Sequence, residues 1–181
     1  MIGPVSVHVF VDESRRGATY FLAASHMQPD KLGRTRTALR SLCLGGQRRI
    51  HFKDEGCARR REIIARLECL GLRVAMYTSQ EPGELARENC LRGLVADLVE
   101  ANARRLVLES RASGDRLDLR VLRTAMGHHA RRTGLVYEHL RPHEEPLLWV
   151  PDAVAWCFGS GGDWRRRVAK LVVRCVDTDL L

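Results

Sequence analysis

The chain has 181 residues, 45% of them hydrophobic and 6% aromatic, and 30 Lys/Arg against 22 Asp/Glu give it a formal charge of +8. A chain of this length closes one core, so a single domain over residues 1–181 is expected, and the apolar fraction excludes intrinsic disorder. No run approaches the roughly 18 apolar residues that span a bilayer and no basic-then-apolar leader opens the chain, which predicts a soluble, cytoplasmic protein without a membrane partner.

Val5 to Val11 alternates small or polar with branched apolar residues and stops at Asp12-Glu13-Ser14, the pattern of a strand with polar groups at its C-terminal end. After the turn Arg15-Arg16-Gly17, Thr19 to Ala24 is a second strand, paired with the first as an antiparallel hairpin. From Asp30 to Leu44 the positions Leu32, Ala38, Leu39 and Leu42 fit a helix closed by Gly45-Gly46, and Cys57 to Leu70 is a second helix with Ile63, Ile64, Leu67 and Leu70 on one face. Leu72 to Tyr77 is a third strand, Pro82 opens a long helix, and Arg105 to Ser110 is a fourth strand ending near Glu109. Asp115 to Arg131 is helical with Leu117, Val121 and Ala125 as its buried stripe, and Leu135 to His139 makes a fifth strand. Pro146 to Phe158 is an apolar helical segment whose single charge is Asp152. Asp163 can cap a last amphipathic helix, residues 163–176, with Trp164, Val168, Leu171 and Cys175 on one face. The order predicts an α/β protein with a mixed five-stranded sheet flanked by helices, and a basic helical insertion at residues 31–71 between strands two and three.

The charge is local. Residues 31–61 hold Lys31, Arg34, Arg36, Arg40, Arg48, Arg49, Lys53, Arg59, Arg60 and Arg61 against Asp54 and Glu55, so this stretch alone carries +8. Surface helices ordinarily mix signs for i, i+4 support. The imbalance therefore favours a phosphate-contact role over a merely solvated face, with Arg48, Arg49, Lys53, Arg59, Arg60 and Arg61 as the nucleic-acid-binding residues. The six cysteines are scattered without a C-x-x-C pair and read as reduced thiols. His139 and His143 straddle Pro142 with no paired cysteines nearby, so neither zinc nor an organic cofactor is expected. The sequence offers no support for an oligomer.

Three carboxylates each break an apolar element: Asp12 after strand one, Glu109 after Leu106-Val107-Leu108, and Asp152 inside the apolar run Leu147 to Trp156. Burying an unpaired carboxylate costs several kcal/mol. If strands one and four are neighbours and the late apolar helix crosses them, the three acids converge, and like charges at that distance are best reconciled by Mg²⁺ or Mn²⁺ with oxygen ligands. Glu13 should point to the opposite sheet face from Asp12. His51 and Lys53 suit proton transfer or phosphate contact, although a histidine between Ile50 and Phe52 is as readily a core residue.

Val9-Phe10-Val11-Asp12-Glu13-Ser14, Ile50-His51-Phe52, Leu106-Val107-Leu108-Glu109 and Leu147-Leu148-Trp149-Val150-Pro151-Asp152 resemble, in this order, the successive motifs of an uncharacterised bacterial domain-of-unknown-function family. That family belongs to the ribonuclease H-like superfamily and has an opening Asp-Glu-Ser motif. The resemblance implies a ribonuclease H-like fold and a metal-dependent nuclease centre acting on DNA or RNA. By position, Asp12 matches the first-strand acid, Glu109 the fourth-strand acid, Asp152 the acid of the last helix, and His51 the histidine after the inserted helix. The chain departs from the pattern at Arg15, at Glu109 where Asp is commoner, and at Pro151. The helix carboxylate that many ribonuclease H-like enzymes add has only Glu84, Glu88 and Asp97 as unselected candidates.

Overall fold

A computed structural model describes residues 7–111, 113–127 and 134–181. Six strands form one mixed sheet in the order β5-β4-β1-β2-β3-β6. Strands β1 (Val7–Arg16), β2 (Thr19–Met27) and β3 (Arg73–Ser79) are successively antiparallel, whereas β4 (Ala103–Glu109) runs parallel to β1 and β5 (Val136–Leu140) parallel to β4. The sheet is thus α/β and mixed as expected, with six strands rather than five.

Two apolar layers cover the sheet, and the period-2 alternation of the strands decides which residue enters which. Phe10, Ala23, Met76 and Val107 pack beneath α5 (Trp149–Ser160) together with α1 (Leu32–Arg40) and α2 (Cys57–Cys69). Val9, Val11, Leu22, Tyr77, Leu106 and Leu108 face α3 (Glu84–Glu100) and α4 (Asp115–Met126). Helix α5 lies close on the hairpin, for a Cβ at Gly159 would stand 3.0 Å from Arg16 Cγ and 3.2 Å from the Phe21 ring. Residues 28–72, which contain α1 and α2, link the adjacent strands β2 and β3.

Two expectations are corrected. Residues 163–176 do not form an amphipathic helix: α6 (Gly162–Arg167) is short, and Val172–Asp177 is a sixth strand, β6, parallel to β3. The free edge of β3 offers unpaired N–H and C=O groups, and the branched run Leu171-Val172-Val173 fits a strand there better than a helix. In α4 the buried side is Asp118, Leu122 and Met126, while Leu117 is exposed and the remainder of the predicted helix, from residue 128, lies outside the described residues.

The rotation of α4 follows from Arg87, a guanidinium only 2% exposed on α3. Its Nε and Nη2 donate to the two oxygens of Asp118, each at 2.7 Å, and Nη1 donates to Glu13 Oε2 at 2.6 Å and Tyr20 Oη at 2.8 Å. A buried cation needs such compensation, so α4 turns its acid rather than its leucine stripe inward. Burial alone would raise the Asp118 carboxyl, yet hydrogen bonds from Arg87 and His139 hold it well below the usual carboxylate range.

Arg87→Met should destabilise the protein by about 3–5 kcal/mol in denaturant unfolding, since it strands a buried carboxylate, and the double variant Arg87→Met/Asp118→Leu should recover most of that loss. The Asp118 carboxyl is depressed in the folded state, so its contribution is present above its ordinary value of 3.8 and fades as pH falls below it. Acid unfolding of the double variant should accordingly be shallower than that of the parent protein.

Candidate active site

The parallel pairing of β1 with β4 runs through Val11 opposite Leu108, which sets Asp12, within β1 and just past that pairing, beside Glu109 at the C-terminal end of β4. Both side chains take the face beneath α5, as Phe10 and Val107 two residues earlier do. Asp152 enters the same space from the first turn of α5. Pro151 is compatible with that helix because the first turn needs no intrahelical N–H donor. The structure therefore brings together the three acids that the sequence singled out.

Their electrostatics are those of crowded like charges. Burial, then the charges of Glu109, Glu13 and Asp152, raise the Asp12 carboxyl well above its ordinary range, opposed by the Glu13 N–H, which donates to Asp12 Oδ1 at 2.8 Å. Burial and Asp152 raise Glu109, while a hydrogen bond with Asp12 and the charge of Arg49 pull it down. Burial also raises Asp152, countered by the Phe52 N–H, which donates to Oδ2 at 2.9 Å, and by the charges of His51 and Arg49. Among the described residues none of the three has an ion-pair partner within 4 Å. Arg111 does not pair with Glu109; it reaches Glu13, Glu84 and Asp118 on the opposite face.

The Ile50 to Lys53 motif borders this centre. Ile50 and Phe52 are buried, and the turn Phe52–Asp54 presents its first N–H to Asp152. His51 is half-exposed, its Nδ1 lying 2.8 Å from Asp54 Oδ2, so it is neither a core histidine nor a direct partner of the acids. Arg60 secures the turn, with Nε donating to Phe52 O at 2.9 Å and Nη2 to Lys53 O at 2.5 Å, and its guanidinium lies 4.2 Å from the Trp156 ring centroid.

The expected basic face divides. Arg48, Arg49, Lys53 and Arg61 are exposed, and the charge of Arg49 reaches Glu109 and Asp152. Arg59 instead donates to Leu42 O and pairs with Glu62 at 2.7 Å, and Arg60 is held as described, so both brace the protein rather than face solvent. Arg36 is likewise bound, by two nitrogens, to the buried Glu145 just ahead of α5.

Among the described residues no further helix carboxylate joins the three acids. Glu84 pairs with Arg111, Glu88 with Arg92, and Asp97 with Tyr77 and Arg174, all on the other face of the sheet. Sequence reasoning missed a second acidic group: Asp115, Asp118 and His139 offer ligand atoms within 4.8 Å of one another, close enough for one ion. Its donors already have partners, however. Both oxygens of Asp118 accept from Arg87, and those of Asp115 accept from Ser110 Oγ and the Arg111 N–H. A divalent cation there would displace a buried guanidinium, whereas at Asp12, Glu109 and Asp152 it would relieve mutual repulsion. The only signal of the second group in sequence was the spacing Asp115-x-x-Asp118, which is also ordinary for a helix N-terminus.

No protein-family model matches the sequence, and no curated protein matches it. Among solved structures the chain is similar to one in the PCNA:RNase HII complex from Archaeoglobus fulgidus, at 14% identity and a TM-score of 0.48, over 92% of this chain and 76% of that one.

Proposed function

We propose that the protein is a divalent-metal-dependent phosphodiester hydrolase of ribonuclease H-like fold that acts on nucleic acid, DNA or RNA. The observation that carries this reading is the convergence of Asp12, Glu109 and Asp152 without an ion-pair partner among the described residues, all three raised by burial and Asp12 and Glu109 also by the charge of Asp152. The mixed sheet agrees with the order of elements in the sequence, and the adjacency of strands one and four is the condition under which the three acids were expected to converge.

The donor set fits Mg²⁺ or Mn²⁺, which prefer carboxylate oxygens over nitrogen or sulfur. Asp12 and Asp152 each give one oxygen to a backbone N–H, which orients the carboxylate and leaves its second oxygen for a ligand. A metal held there supplies Lewis-acid stabilisation of the charge that grows on the scissile phosphate. Arg49 adds positive potential at the same place, and Arg48, Lys53 and Arg61 extend it as a rim for the phosphate backbone. His51, oriented by Asp54 through Nδ1, keeps Nε2 to hold or pass a proton at the leaving or attacking oxygen.

Incubation with labelled single- and double-stranded DNA and RNA should give cleavage that requires Mn²⁺ or Mg²⁺ and stops with EDTA. Asp12→Asn and Asp152→Asn should abolish it, and His51→Ala should slow it by about 100-fold. A protein that binds these substrates but never cleaves them would instead be a nucleic-acid-binding module. Metal binding followed by calorimetry should be lost in Asp12→Asn and retained in His139→Ala; the reverse would move the metal to the second acidic group.

The raised carboxyls also fix a sign. Their contribution to folding is complete below the ordinary values of 3.8 and 4.5 and is lost as pH rises through the elevated ones, so the metal-free protein should melt lower at neutral pH than just above those ordinary values. At pH 7.5 Asp12→Asn should raise the metal-free Tm, by roughly 2–4 °C per kcal/mol of repulsion relieved, and should erase the rise caused by Mn²⁺ in the parent.

Substrate affinity should fall steeply with salt. Neutralising Arg48, Arg49, Lys53 or Arg61 should reduce the slope of log affinity against log salt by about 1 each. Arg59→Ala should instead show its main effect in thermal melting.

A further inference from the structure

A cavity of about 630 Å³ opens at the other end of the sheet, on the face of α3, lined in part by Val7 of β1, His26 of β2, Arg73 and Ala75 of β3, and Asp97 of α3. Five residues separate Val7 from Asp12, about 17 Å along the strand, and the two acidic and basic environments lie on opposite faces. The cavity is therefore separate from the carboxylate centre, and no step proposed there uses it.

Three features of its walls concern a ligand. The first is His26, whose Nε2 is shielded from solvent yet has no hydrogen-bond partner among the described residues. Such a nitrogen forfeits a hydrogen bond unless something enters the cavity to meet it. Burial lowers the His26 pKa, Asp97 opposes that shift and Arg73 adds to it, so the ring is neutral near pH 7 and offers one nitrogen as donor or acceptor according to tautomer.

The second feature is charge. Lys31 and Arg73 stand at the rim with no ion-pair partner among the described residues, and Arg174 is there too, bound to Asp97 at 3.1 Å. Asp97 is further engaged by the Tyr77 hydroxyl, which leaves Glu100 as the one lining carboxylate with no ion pair shown. The free charge of the rim is therefore cationic, with a single acceptor for a hydroxyl or amino group. The third feature is the floor, where Leu70, Ala75 and Val173 supply apolar surface for the body of a molecule. A volume of this size is typical of pockets for organic ligands rather than for a bare ion.

We infer that this cavity binds a small organic phosphate of the size of a nucleoside monophosphate, with the phosphate between Lys31 and Arg73, the ring over the apolar floor, and a polar group of the ligand meeting His26 Nε2. A phosphate monoester suits the two cations better than a neutral metabolite, and the ribose hydroxyls suit Glu100. The inference does not depend on the nuclease reading, since neither the acids nor the metal take part.

Isothermal titration of the full chain with the four ribonucleoside 5′-monophosphates and with inorganic phosphate, in EDTA, tests it. At least one nucleotide should bind with a Kd below about 1 mM, and inorganic phosphate more weakly by about tenfold or more. Lys31→Ala and Arg73→Ala, both at the rim where folding is little affected, should each weaken binding by about tenfold or more, and His26→Phe should weaken it with the melting temperature checked in parallel. Asp12→Asn should leave the affinity unchanged. Absence of binding by all four nucleotides, equal affinity for inorganic phosphate, indifference to the Lys31 and Arg73 substitutions, or loss of binding in Asp12→Asn would each overturn the inference.

Discussion

Consecutive residues of a strand point to opposite faces of its sheet, and β1 carries two consecutive acids within its length at the centre of this one. Asp12 and Glu13 therefore meet different environments although they are bonded neighbours. Glu13 faces α3 and is neutralised by Arg87, the same guanidinium that holds Asp118 and Tyr20. Asp12 faces α5 and finds two more carboxylates instead. One face of the strand is closed by an internal cation, and on the other no ion pair meets the acids among the described residues. This division explains why the two acidic groups of the protein differ in kind: around Arg87 the charges are internally satisfied, and around Asp12 they are not.

The basic segment between β2 and β3 serves the same division at a larger scale. Arg36, Arg59 and Arg60 fasten it to Glu145, to the end of α1 and to the turn at Phe52. These contacts place the Phe52 N–H on Asp152, so part of the positive charge acts by building the acidic centre rather than by contacting phosphate. Of the exposed remainder, Arg49 is the residue whose charge reaches that centre. Part of the excess charge thus acts inside the protein, and only the position of each guanidinium relative to a carbonyl or carboxylate distinguishes that part from the exposed rest.

Much of the fold was legible. Alternation identified β1 to β5, apolar spacing identified α1 to α3, and the three acids drew notice because each interrupts an apolar element that would otherwise be buried without cost. The misreadings share a cause. The apolar stripe of α4 predicted Leu117 inward, but a buried cation from another helix outweighed it. The branched residues after Val168 were compatible with a helical face and with a strand, and the unpaired edge of β3 decided for the strand. Asp115 and Asp118 of α4 meet His139 of β5 across a long sequence interval, which no local pattern announces.

By itself the sequence determined the alternation of strands and helices, the place of the acids that interrupt apolar elements and the concentration of basic charge in residues 31–61, because hydrophobic period and charge are local properties of a chain. The tertiary structure decided which acid meets a cation and which meets another acid, how α4 is rotated, where β6 pairs and which arginines are free. Each of those depends on a partner distant in sequence, and a buried charge is stable only in relation to the partner it finds.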